Sequence, residues 1–404
     1  MMTRKLLQIN PVVRQNTSTG RIMREIGELA LRCGWESYIA YSRGRDGVPP
    51  HSSQLVPVGH ACDVALHAAA TRLFDAHGLA SRQATRQLIR QIERIGPDII
   101  HIHNIHGYWL NYPLLFAYLK NCGKPVVWTV HDSWLYTGHC YYYDYARCTK
   151  WHSGCGRCPQ KSAFPASWLF DRSAANWRDK RAAFGALPNL TIVPVSEWIR
   201  REMASSFLAD KPFRVIRNGI DLSVFRPEAA PKATESVYIG VASIWLEEKG
   251  LPDLLRIADL LHAEEQLVLV GRMTEAQKRR IPERVRVVER TENVRELAAL
   301  YAQATVLLNP TWQDNYPTVN LEAIACGTPV VTYRTGGSPE SVTEATGRVV
   351  AQGDVPAMLA AARELAAADR AATALRCRDH ACAHFDKEAC YRHYIELYED
   401  LATR

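Results

Sequence analysis

NPTWQDNYPTVNLEAIACGTPVVTYRTGGSPE, residues 309–340, reads as two strand–loop–helix units in succession. Residues 304–309 form an apolar run suited to a buried strand, and the loop after it carries Asp314, Asn315 and Tyr316. Pro317 and Thr318 then open a helix that holds Glu322 in its first turns. Residues 330–333 are the next strand, and Gly336-Gly337 allows a tight turn before Ser338 caps a second helix with Pro339 at its first position. Helix N-termini at one end of a parallel sheet form an anion site. Two carboxylates beside such a site suit sugar hydroxyls. The stretch therefore predicts an α/β fold with a nucleotide-sugar site.

The same alternation extends outward along the chain. Strands are expected over 6–10, 37–41, 98–103, 126–130 and 191–194, with helices over 20–33, 81–95, 171–184 and 197–207. Residues 44–60 read as loop. Further strands fall at 238–242, 266–270, 285–288, 305–309 and 330–333, mostly followed by helices. A last helix, 389–401, sets Tyr391, Tyr394, Leu397, Tyr398 and Leu401 at helical spacing. With 404 residues, two domains are the natural division. The pattern predicts two Rossmann-like, doubly wound halves, residues 1–212 and 213–388, with 389–404 crossing back to the first. Ligands are expected at the carboxyl ends of the strands, facing a cleft.

Composition narrows the class of function. The chain is 47% hydrophobic and 23% charged, with a net charge of +7, as for a globular protein that meets phosphorylated or otherwise anionic partners. No apolar run approaches the roughly 18–20 residues that span a bilayer, and the N-terminus reads as a strand, so a cytoplasmic location is expected. Four of the eleven cysteines, Cys140, Cys148, Cys155 and Cys158, cluster in an irregular segment, 137–160. Their spacing, C-x7-C-x6-C-x2-C, suits a closed, structural Zn²⁺ site, and a set of free thiols is the alternative. The nearby basic residues, Arg147, Lys150, Arg157 and Lys161, are too few among the aromatics for a nucleic-acid module.

Several segments together resemble a known family. VIRNGID (215–221), the Lys249-Gly250 pair, the acidic-x7-Glu spacing of Asp314 and Glu322, and TGGSPE resemble the retaining GT-B glycosyltransferases of family 4. LQIN (7–10), STGRI (18–22), HIHNIHGYWLN (101–111), TVHDSW (129–134), TGHC (137–140) and GCGRCPQ (154–160) resemble its bacterial exopolysaccharide branch, the colanic-acid type. The resemblance implies metal-independent transfer from a UDP- or GDP-sugar, with retention, to a growing oligosaccharide of the polyprenyl-diphosphate-linked kind. It gives Glu322 the ribose and Asp314, Asn315, Tyr316, Pro317 and Thr318 the donor sugar. Lys249 would take the diphosphate, with Ser18, Thr19 and Gly20 approaching from the first half. Asn218 lies in the same donor set, Arg290 and Thr291 near the base, and His131 at the transferred sugar. His103 and His106 would line the acceptor side.

Two departures stand out. The family's first acidic position is usually Glu and here is the shorter Asp314. An Arg commonly lies five or six residues before the Lys, where this chain has Ser243 and Ile244. Arg272, Arg217 and Arg290 are the candidate replacements. A non-catalytic GT-B relative that binds glycans or a partner is the alternative these departures raise. The basic helix with Arg82, Arg86, Arg90 and Arg94 is the expected face for any peripheral membrane contact.

Overall fold

The computed structural model describes residues 3–14, 17–44, 53–228 and 236–403. The chain divides into two compact units, one of residues 1–217 with 391–404 and one of residues 218–390. The first unit contains β1 (Lys5–Ile9), α1 (Ser18–Arg32), β2 (Glu36–Tyr41), β3 (Gln54–Pro57), α2 (Ala61–Phe74) and α3 (Arg82–Ile95). It continues through β4 (Ile99–Ile102), α4 (Tyr112–Asn121), β5 (Val126–Val130), α5 (Ser173–Gly185), β6 (Leu190–Pro194) and α6 (Glu197–Ala204). The strands form one parallel sheet in the order β3-β2-β1-β4-β5-β6.

Local sequence explains these elements. In α3, Ala84, Thr85, Leu88, Ile92 and Ile95 face inward at helical spacing, while Arg82, Arg86, Arg90 and Arg94 face water. Gly96, at φ +60°, ends that helix by donating its N–H to the Ile92 carbonyl, 2.9 Å away. Strands β4 and β5 are buried on both faces, as a parallel sheet covered by helices requires.

The second unit begins with β7 (Ser236–Ile244), α7 (Leu251–Leu260), β8 (Glu265–Arg272), α8 (Glu275–Lys278), β9 (Val285–Val288) and α9 (Val294–Gln303). β10 (Val306–Asn309), α10 (Thr318–Ala325), β11 (Val330–Tyr333), β12 (Gly347–Val350), α11 (Val355–Ala367), α12 (Arg370–His384) and α13 (Lys387–Ala402) follow. Its parallel sheet runs β12-β11-β10-β7-β8-β9. Read from its first strand, that is the same winding as in the first unit. Each sheet reverses direction once, between β1 and β4 and between β7 and β10, and such reversals are where doubly wound sheets bind ligands.

From Tyr391 onward α13 belongs to the first unit. Its buried tyrosines bond the central strands: Tyr394 Oη lies 3.0 Å from Thr129 Oγ1, and Tyr398 Oη lies 2.6 Å from His101 Nδ1. Residues 54–57 are a strand rather than loop, and α2 and α4 are helices for which the sequence offers no clear polar face. One expected helix is absent. After Gly337 the chain makes only a single 3-10 turn, Ser338–Ser341.

Candidate active site

In the second unit, the reversal between β7 and β10 brings two loops together. Lys249 ends a 3-10 turn, Glu247–Lys249, and Gly250 follows at φ +81°. A Cβ on Gly250 would collide with the Pro310 carbonyl, so the turn lies directly on the start of the loop after β10. The Trp312 N–H donates to the Glu248 carbonyl at 2.8 Å. Held this way, Lys249 Nζ lies 2.7 Å from Asp314 Oδ2. The glycine loop closes the other side. Gly337 N–H donates to the Asp314 carbonyl at 3.1 Å, and a Cβ on Gly336 (φ +54°) would strike that same oxygen.

Glu322 sits on α10, almost fully buried, and Tyr301 Oη donates to its Oε2 at 3.2 Å. Asn315, Tyr316 and Pro317 are buried at the entry to α10, with Pro317 in the cap position and Thr318 as the first helical residue. The expected second helix N-terminus is corrected here. Ser338 Oγ is taken up by Thr332 Oγ1 (2.7 Å) and Asn320 Nδ2 (3.1 Å), and Asn320 also receives the Asn309 amide at 2.8 Å. That buried network fixes the 338–341 turn against α10 and leaves α10 as the helix that starts beside Asp314 and Lys249.

Arg272 ends β8, and its Cα pairs in register with Ile244, one of the two positions where the usual arginine is missing. Its side chain is exposed, with no ion pair among the described residues. Arg290 and Thr291 follow β9. Asn218 is buried, and the residues after it pack against the 385–387 segment of the same unit. A Cβ on Gly219 would meet the backbone of Lys387, Ile220 N–H donates to Phe385 O at 2.8 Å, and Asp221 pairs with Lys387 at 2.7 Å. Arg217 belongs to the first unit.

In the first unit, Ser18 and Thr19 open α1 just past β1, and Gly20 sits so close to the Arg14 and Val12 carbonyls that a Cβ would not fit. Past β4 and β5 lies a polar cavity of about 190 Å³, bordered by His103, Asn104, His106, His131 and Asp132. His106 Nε2 lies 2.7 Å from Asp132 Oδ2. Burial raises the Asp132 carboxyl, but His106 and the Trp134 N–H outweigh it and lower its pKa. His103 is fully buried behind His131, with Nε2 3.0 Å from Gln8 Oε1 and Nδ1 3.1 Å from His131 Nε2. Burial drives His103 well below its ordinary pKa and lowers His131 to about 4, so both are neutral near pH 7. With Gln8 Oε1 as acceptor, His103 donates from Nε2 and receives the His131 Nε2–H on Nδ1, which leaves His131 Nδ1 without the proton. Gln8, Asp132 and Tyr301 escape a motif reading. The signal for Gln8 is a polar residue inside an apolar strand.

The four clustered cysteines border a second cavity of about 280 Å³ with Thr137, His139 and Trp151. Among the described residues, no group of three or more His, Cys, Asp or Glu side chains is arranged to hold a metal ion, so the structure lends the zinc expectation no support. Three of the four sulfurs have protein partners. Gly138 N–H donates to Cys155 Sγ at 3.2 Å, and a hydrogen bond from Cys140 pulls the Cys158 thiol down to about 7. Buried Lys180, on α5, ties the segment down by donating to the Trp134 and Thr137 carbonyls at 2.7 and 2.9 Å. Burial lowers its own pKa to about 7.

Comparison with known proteins gives the family. Residues 19–224 match the family model described as Glycosyltransferase Family 4, and residues 235–368 match the one described as Glycosyl transferases group 1. The Escherichia coli (strain K12) protein named "Putative colanic acid biosynthesis glycosyl transferase WcaC" is 24% identical, over 98% of this chain and 100% of its own. Among solved structures, the sucrose-phosphate synthase of Thermosynechococcus elongatus superimposes with a TM-score of 0.72 at 19% identity, over 98% and 99% of the two chains. Anabaena HepE in complex with UDP does so with a TM-score of 0.67 at 13% identity, over 99% and 100%.

Proposed function

The chain belongs to glycosyltransferase family 4 and has the GT-B fold, and from that premise we propose that it transfers one sugar from a UDP- or GDP-sugar, with retention, to a growing oligosaccharide carried on a polyprenyl diphosphate. The observation that carries this reading is the Lys249–Asp314 contact of 2.7 Å at the reversal of the second sheet. It joins a cation for phosphate and a carboxylate for sugar hydroxyls at the start of α10.

Glu322, steadied by Tyr301, accepts from the ribose hydroxyls. Asp314 and the Asn315–Thr318 entry to α10 hold the donor sugar. Lys249 and the α10 N-terminus meet the diphosphate as negative charge grows on it. Arg272 supplies the second cation, a role supported by its register beside Ile244 and by its lack of an ion pair among the described residues. These groups take the place of a divalent metal. In the first unit, His131 accepts a sugar hydroxyl on Nδ1, and His106 with Asp132 faces the acceptor.

In the front-face route, the acceptor oxygen bonds to the anomeric carbon on the side the phosphate leaves. The C1–O bond to the phosphate breaks with its electron pair on the nucleoside diphosphate, and the acceptor proton passes to a phosphate oxygen. The protein's part is positioning and electrostatics. The test is a donor screen in the presence of a lysate-derived lipid acceptor, with the product's anomeric configuration read by NMR. An α-linked donor giving an α-linked product supports the proposal, and inversion or no turnover with any UDP- or GDP-sugar defeats it.

A further inference from the structure

Helix α2 is turned inside out. Its inward face carries His67 and Thr71, while Cys62, Leu66, Ala69 and Leu73, at helical spacing, face solvent. Leu66 is 71% exposed. Beside it the run Trp168-Leu169-Phe170 stands out from the surface at 65, 63 and 56% exposure. Three adjacent large apolar side chains in water forgo the burial that ordinarily drives folding, and a contiguous patch of this kind marks an interaction surface.

The patch is a built platform. Phe74, at the end of α2, stacks on Phe170 with ring centres 5.9 Å apart. Trp168 N–H donates to the Arg72 carbonyl at 2.6 Å, and the Arg72 guanidinium lies 5.7 Å from the Trp168 ring centre. Ser167 is buried and holds the run from both sides, donating its N–H to Lys161 O at 2.8 Å and its hydroxyl to Phe170 O at 2.7 Å. Next to Phe74, the fully buried Asp75 accepts from Arg172 N–H at 2.8 Å and meets His139 Nδ1 at 2.7 Å. The apolar residues are thus held outward by a rigid base.

We infer that this platform, α2 with residues 164–170, seats the first unit on the surface of a bilayer containing anionic lipid. Two observations select that occupant. The cations at the patch, Arg72 and Lys161, match anionic headgroups, while the nearest carboxylates are already engaged by the protein: Asp75, buried, as above, and Asp171, exposed, by Ser173 and the Cys158 N–H. Aromatic and aliphatic side chains ringed by Arg and Lys fit the boundary between headgroups and acyl chains. The patch is also continuous with the acceptor-side cavity. Phe164, at its inner end, packs 6.3 Å from His106, 5.9 Å from His77 and 5.4 Å from Tyr141. A membrane under the platform brings a lipid-borne acceptor to the mouth of that cavity. The surface differs from the arginine face of α3 that the sequence suggests.

That consequence rests on the glycosyltransferase reading, but binding to lipid does not, and the test separates them. Full-length protein is sedimented with vesicles of phosphatidylcholine alone and of equal parts phosphatidylcholine and phosphatidylglycerol, beside a variant carrying Leu66→Ser, Trp168→Ser and Phe170→Ser. UDP and GDP binding is measured for both. The wild type is expected to bind the anionic vesicles, less so as salt rises, and the variant to bind at least about tenfold more weakly with nucleotide binding unchanged. Three results overturn the inference: no vesicle binding by the wild type, equal binding by a folded variant, or a wild-type dimer in light scattering that the variant converts to monomer.

Discussion

Lys249 and Asp314 neutralise each other at 2.7 Å while both keep contact with solvent. Exposed pairs of this kind contribute only about 0–1 kcal/mol to stability, so the contact is better explained by a ligand than by the fold. When a sugar diphosphate arrives, Lys249 turns to phosphate and Asp314 to hydroxyls, and each replaces one partner with another. Lys249→Ala is therefore expected to lower turnover by about 10²–10³-fold, the loss seen when a preorganised donor to developing charge is removed. Its melting temperature should change by no more than about two degrees. Initial rates of nucleotide release and a thermal melt check both halves. Asp314→Asn keeps the shape and removes the charge, and it should raise KM more than it lowers kcat. At this scale the resemblance sets Lys249 and Asp314 in one donor site, and the structure brings these two side chains together. Gln8, Tyr301 and Asp132 were not legible in the sequence, because each acts on a residue from another strand or helix, and no local pattern marks such a partner.

Among the elements, the last helix tests how the first unit is completed. Tyr394 reaches Thr129 and Tyr398 reaches His101 on the central strands from more than 260 positions away. Tyr398→Phe keeps the ring packed but leaves His101 Nδ1 buried without its donor, which costs about 1–3 kcal/mol. A lower midpoint in urea unfolding, with the slope unchanged, is the expected result. The tyrosine spacing of this helix was plain in the sequence, as were the strands, because a buried parallel strand is a short, uninterrupted apolar run. The elements that misled did so for physical reasons. Ser338-Pro339 looks like a helix start, yet Thr332 and Asn320 claim the serine hydroxyl and the turn stops after Ser341. Helix α2 buries His67 and Thr71 and shows Leu66 and Leu73, so the usual amphipathic rule has no grip on it.

For the molecule as a whole, pH exposes the buried histidines. Burial lowers His67 and His131 to about 4 from an ordinary value of 6.5, and holds His77, His101 and His103 well below that ordinary value. The unfolded chain therefore binds more protons than the folded one below that value, and stability present above pH 6.5 is lost as pH falls toward 4. Two groups oppose this. Burial raises Asp144 to about 7, and burial would lower His139 but its hydrogen bond to Asp75 raises it. Burial lowers half-buried His380 as well, so six groups against two fix the sign: the melting temperature should drop markedly between pH 7 and pH 4.5. A flat profile would mean that the histidines are not buried as described. The repeated winding of the two sheets is what makes the candidate sites intelligible, since each lies past the carboxyl ends of parallel strands, in the second unit where the strand order reverses. The central claim, that the second unit is a nucleotide-sugar site, is tested most directly by titrating UDP and GDP into the full chain in a calorimeter, beside Glu322→Ala. One nucleotide should bind with micromolar affinity to the wild type and at least about tenfold more weakly to the variant, the loss of about 1.4 kcal/mol or more. Binding of neither nucleotide, or equal binding by the variant, would contradict it.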